Sequence, residues 1–159
     1  MISNPYPLTR LGYIPDTDER YYSFISRGKK NITKVIAFTP IEKDGNKYYN
    51  WGFGDLVKHE TTGFDIDDKT DSNNGDVKRV FYTVASALSA FYEINPGATV
   101  HIKGSNQQRT NIYGKIIARH WTEIEPIYVV RGFVNGQIEP FQEAVEFDHL
   151  LILKKNVNL

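Results

Sequence analysis

Apolar residues recur at intervals of three and four through Val77, Val80, Phe81, Val84, Leu88, Phe91 and Tyr92, which predicts a helix with one side to bury. Asn73, three residues ahead of Asp76, offers a capping start, and Pro96-Gly97 stops the helix. The period then changes. Ala98–Lys103 alternates apolar with polar, which predicts a strand with one buried and one more polar face. A second helix opens directly after it at Gly104-Ser105, so residues 73–122 read as helix, strand, helix.

On the N-terminal side, Arg20–Ser26 and Asn31–Phe38 flank Arg27-Gly28-Lys29-Lys30 as a β-hairpin, and Asp44-Gly45 marks the next turn. Lys47–Leu56 is a third strand, with two internal glycines that suggest a bulge or a close backbone approach. Thr61–Gly75 is polar and acidic and reads as a surface loop. Residues 1–18, with Pro5, Pro7, Pro15 and Gly12, read as an irregular arm. On the C-terminal side, Pro126–Val134 and Gln137–Phe141 flank Asn135-Gly136, a strong hairpin signal because both central residues of a type I′ turn need positive φ. Phe147–Leu153 ends in four consecutive apolar residues, as a strand covered on both faces does.

The expectation is an α+β fold in the order βββ-α-β-α-βββ, its sheet mainly antiparallel because the connections are short. Its core should include Val80, Phe81, Val84, Leu88, Phe91, Val100, Ile102, Ile116, Ile117, Leu151 and Leu153. At 159 residues, without an internal repeat or linker, the chain is expected to form one domain over 1–159.

Composition narrows the class. With no Cys, disulfides, thiolate chemistry and cysteine zinc sites are excluded, which fits a reducing compartment. No basic-then-apolar leader is seen, and no apolar run approaches the roughly 20 residues of a membrane span, so a cytoplasmic protein without a membrane role is expected. Net charge is zero, yet the charges are segregated. Asp55, Glu60, Asp65, Asp67, Asp68, Asp71 and Asp76 precede the basic stretch of Lys78, Arg79, Lys103, Arg109, Lys115 and Arg119.

The second helix opens with Gly104-Ser105-Asn106-Gln107-Gln108-Arg109, where backbone N–H groups and the Arg109 guanidinium offer an anion site built on Ser105, Gln107, Gln108 and Arg109. Ser105 and Gln108 also form a capping box, which would use the same donors internally. Neither nucleotide-loop pattern is met, and no cofactor is expected. The acidic loop lacks calcium-loop spacing, and His59, His101, His120 and His149 do not stand at metal-ligand spacings, so no metal is expected. If both helices cover one face of the sheet, the other would show Thr99, His101 and Lys103 beside aromatics, a surface on which bases stack.

The motifs Asn50 with Gly52-Phe53-Gly54-Asp55, Asp67-Asp68, Asn74-Gly75-Asp76 with Thr83-Val84, and Gly104-Ser105 with Arg109-Thr110 and Tyr113 resemble those of a family of small uncharacterised bacterial proteins. That resemblance implies a bacterial cytosolic origin and carries no catalytic residue. It draws attention to Asp55, Asn74 and Asp76 as a supporting polar cluster, since such groups are costly to bury unless paired. The functional expectation is a binding or interaction protein with an anionic partner, a phosphate-bearing ligand or nucleic acid, at the Gly104–Arg109 corner. The alternatives are a hydrolase or transferase built around Ser105 and Arg109, or a role directed at a protein partner. The corner is expected beside the acidic loop, with Arg109 either paired to Asp76 or Asp55 or open to an anion.

Overall fold

The computed structural model describes residues 4–14, 18–43, 45–59, 63–67 and 74–155. Five strands come first: β1 Thr9–Ile14, β2 Glu19–Arg27, β3 Asn31–Lys43, β4 Asn46–His59 and β5 Gly63–Asp67. They are followed by α1 Val77–Ile94, β6 Thr99–Ile102, α2 Gln107–Arg119, the short α3 Trp121–Ile124, β7 Tyr128–Val134, β8 Gln137–Pro140 and β9 His149–Lys154. The fold is α+β with a mainly antiparallel sheet, as the pattern predicts. The chain divides into two compact units, residues 1–40 with 52–95 and residues 41–51 with 96–159.

In the first unit β2 pairs antiparallel with β1 and with β3, Tyr22 standing opposite Ile36 in the latter ladder. Two expectations are corrected here. The arm over 1–18 contains β1, because Pro5 and Pro7 lie ahead of the strand and leave its amides able to pair. The loop over 61–75 contains β5, which pairs antiparallel with the far end of β4. Phe64-Asp65-Ile66-Asp67 alternates at period two, a strand signal masked by its acidic composition. Helix α1 closes the unit with Thr83, Ala87, Leu88, Phe91 and Tyr92 buried. Of the face the spacing predicts, Leu88, Phe91 and Tyr92 are buried, Val80, Phe81 and Val84 are half-buried, and Val77 is exposed because it lies at the helix's first turn. Phe91 stacks on Phe38 with centroids 4.2 Å apart. Both rings are fully buried, a contribution of about 2–3 kcal/mol each. The helix's N-cap is Asp76, without a side-chain capping bond, while Asn73 lies outside the described residues.

In the second unit the strand order is β4-β6-β9-β7-β8. The β4–β6 pairing is parallel, as a connection through a helix permits, and the rest is antiparallel. Asn135 and Gly136 have φ of 52° and 75°, so the predicted hairpin is made between β7 and β8. Leu150, Leu151 and Ile152 on β9 are all buried, so this strand is covered on both faces. Trp51 meets Tyr113 of α2 edge to face at 5.2 Å. Of the expected core, Leu88, Phe91, Val100, Ile102, Ile117 and Leu151 are buried. Val80, Phe81, Val84, Ile116 and Leu153 are half-buried.

The Tyr21 hydroxyl donates to Glu19 at 2.6 Å. That bond, with burial second, pushes its pKa up to about 12. The folded chain therefore holds this proton more tightly than the unfolded one. The associated stability is present in full below about pH 10 and is lost as pH rises through 10 to 12. Tyr6, raised by burial and by its bond to Asp76, and Tyr128, raised by burial, act in the same direction. Urea unfolding is expected to show a lower midpoint at about pH 11 than at about pH 9, and Tyr21→Phe to shrink the difference.

Candidate functional site

The corner before α2 is built by Gly104. Its N–H donates to Thr110 Oγ1 at 2.9 Å, and a Cβ there would lie 2.5 Å from Arg109 Cβ and 2.6 Å from the Thr110 nitrogen. Only glycine lets the chain fold back this closely on the helix's first turn. Asn106 then stands extended, with φ −150° and ψ 174°, and its Oδ1 accepts from the Arg109 N–H at 2.9 Å. The N-cap is thus Asn106 and not Ser105. Either side chain is able to cap, and the Gly104–Thr110 bond sets the turn one residue later. Ser105, Gln107 and Gln108 are exposed and Arg109 is half-buried. Gln107 Nε2 donates to Asn111 Oδ1 at 2.8 Å and to the Phe147 carbonyl at 2.9 Å. These contacts favour the capping reading of the corner and turn Gln107 into a clamp.

The supporting cluster belongs to the first unit and braces it. Asp76 Oδ2 accepts from the Tyr6 and Ser26 hydroxyls, both at 2.6 Å. The Asn74 side chain accepts from the Lys30 N–H at 2.8 Å and donates to Ser26 Oγ and the Lys30 carbonyl at 2.9 and 2.8 Å. Arg79 lies over the Tyr6 ring, 3.8 Å from its centroid, and donates to the Asn4 carbonyl. Asp55 pairs with the buried Lys34 ammonium. Asp76 and Asp55 are therefore engaged by Tyr6, Ser26 and Lys34. Donors within their own unit satisfy both carboxylates.

His101 on β6 and His149 on β9 meet with ring centroids 4.2 Å apart, and Phe133 lies 4.5 Å from His149. Strand pairing brings them together across a gap that no sequence spacing reveals. Among the described residues no group of three potential metal ligands forms. Leu151, directly across from His101, is only 5% exposed, while Thr99 and His101 are half-buried and Lys103 is exposed. Of the acidic loop, Asp65 and Asp67 lie in β5 while Asp68 and Asp71 lie outside the described residues.

A cleft of about 150 Å³ lies between α2 and the segment 141–147, entirely within the second unit. Phe141, Val145, Phe147 and Leu150 give it an apolar base, and Lys115, Glu143 and Glu146 stand at its sides. The base is fixed by stacking, Trp121 on Phe141 at 5.3 Å and Phe141 on Phe147 at 6.0 Å. Gln107 holds the segment through the Phe147 carbonyl, and Asn111 donates to Glu146 Oε1 at 2.8 Å.

The opening itself comes from Gly114. This residue follows the buried Thr110 by four positions and precedes the buried Ile117 by three, which puts it on the inward side of α2. A Cβ at Gly114 would meet nothing within 4 Å. Glycine inside a helix costs about 1 kcal/mol relative to alanine. No backbone conformation or close contact requires it here, in contrast to Gly104. A glycine in the middle of the predicted second helix was the available signal for this site, but its partners lie some thirty positions further along.

The family model of DUF6934, a family of unknown function, matches residues 5–155. The chain belongs to DUF6934. No curated protein and no solved structure matches it. Among the described residues of this DUF6934 member no helix is long and apolar enough to cross a membrane.

Proposed function

We propose that this DUF6934 protein acts by binding, and that the cleft between α2 and the segment 141–147 is its recognition point. The observation that carries the reading is Gly114, an inward helix position where the chain forgoes helix stability and leaves open space above an aromatic base. The cleft, open to solvent and lined by polar as well as apolar groups, has a volume of about 150 Å³, room for one benzene-like ring against its aromatic residues. The ligand therefore inserts a single side chain or ring, and the charged groups at the cleft's sides select what accompanies it. A bacterial cytosolic setting is part of this proposal and rests on the lack of Cys and on the sequence resemblance.

The test is a titration of the whole chain with phenol at millimolar concentration, followed by amide chemical shifts. The expected shifts fall on Asn111–Lys115 and on the segment 144–147, and disappear in Gly114→Leu, whose side chain fills the cleft. Shifts scattered over the chain, or unchanged in Gly114→Leu, would remove the cleft as a recognition point.

A further inference from the structure

Charge is divided between the two sides of the cleft. From Gln107 to Arg119, α2 carries Arg109, Lys115 and Arg119 and no acid, and Lys115 lies at the cleft. From Gly132 to Leu153 the chain carries Glu139, Glu143, Glu146 and Asp148 without a Lys or Arg, and Glu143 and Glu146 lie at the cleft. Among the described residues, neither Lys115 nor Glu143 makes an ion pair or hydrogen bond, so the two do not neutralise each other. Glu146 is held in place by the relay from Gln107 through Asn111 and commits only Oε1 to it. A small cleft with aromatic residues in its lining thus carries a cation from α2 and carboxylates from the segment 141–147.

Resting on the binding reading above, we infer that the cleft takes a free α-amino acid with an apolar side chain, up to the size of phenylalanine. The side chain lies on Phe141, Phe147 and Leu150. The α-carboxylate faces the Lys115 ammonium and the α-ammonium faces Glu143 and the remaining oxygen of Glu146. An amino acid carries these two charges on adjacent atoms beside one apolar group, which matches a slot of this size with both signs at its mouth. A ligand bearing one charge leaves one side of the cleft unmatched, and a longer peptide separates the two charges.

The experiment compares L-phenylalanine, 3-phenylpropanoate and 2-phenylethylamine, with phenol as reference, in amide-shift titrations of the full chain at low salt. Phenylalanine is expected to bind about two- to fivefold more tightly than either singly charged probe, since each solvent-exposed charge pair adds a modest factor. Lys115→Gln should bring phenylalanine down to the level of 2-phenylethylamine, and Glu143→Gln combined with Glu146→Gln to that of 3-phenylpropanoate. Equal affinity for all four probes, or preference for a singly charged one, overturns the amino-acid assignment while leaving the cleft a binding site. Failure of every probe, phenol included, overturns both.

Discussion

Gly28→Ala is expected to lower the unfolding free energy by about 4 kcal/mol, which corresponds to a fall of about 10 °C in Tm for a chain of this length. Gly28 lies in the turn between β2 and β3, and its own backbone angles do not demand glycine. Space does. A Cβ would overlap the Asn74 carbonyl oxygen and lie 2.8 Å from the carbonyl carbon. That carbonyl accepts from the Lys29 N–H at 2.9 Å, and the Asn74 side chain is buried and bonded to Ser26 and Lys30. Moving Asn74 therefore breaks several bonds at once and strands polar groups out of water, at about 1–3 kcal/mol each. Urea unfolding of the variant reads the effect. A loss below about 1 kcal/mol would mean that the turn and Asn74 part without cost and that the brace is not a unit.

Gly132→Ala is expected to cost about 3 kcal/mol and to disturb the cleft. Gly132 on β7 is covered by the Phe147 ring, and a Cβ would stand 2.6 Å from Phe147 Cε1 and closer still to other ring atoms. Phe147 is 3% exposed, stacks on Phe141 and lines the cleft, so displacing the ring disturbs the cleft as well as the core. A smaller side chain in the double variant Gly132→Ala with Phe147→Leu should recover part of the stability, because residues in contact couple. Unfolding midpoints of the two single variants and the double variant check this. Additive losses would show that Phe147 does not rest on Gly132.

Elements whose pattern is local were legible in the sequence. The three-and-four spacing of α1, the Asn135-Gly136 turn and the doubly apolar Leu150–Ile152 each depend on neighbours a few positions away, and the structure forms all three. The strands β1 and β5 were hidden by prolines and by acidic composition, because backbone pairing supplied by β2 and β4 outweighs weak local propensity. The cap of α2 moved from Ser105 to Asn106 through a bond to Thr110, which sequence alone does not order. Asp55, Asn74 and Asp76 are legible as polar groups that need partners, while the partners themselves, Lys34, Ser26 and Tyr6, lie 21 to 70 positions away. The cleft was legible only as an unexplained glycine, since its second side arrives from the segment 141–147.

If the cleft is the recognition point, α2 keeps Gly114 for the cleft and not for the fold. Equilibrium urea unfolding of Gly114→Ala tests it most directly. With open space where the Cβ would go, alanine should raise the unfolding free energy by about 0.5–1 kcal/mol at an unchanged denaturant slope. A variant less stable than the natural chain would show that the fold itself requires glycine at this position, and would contradict the account.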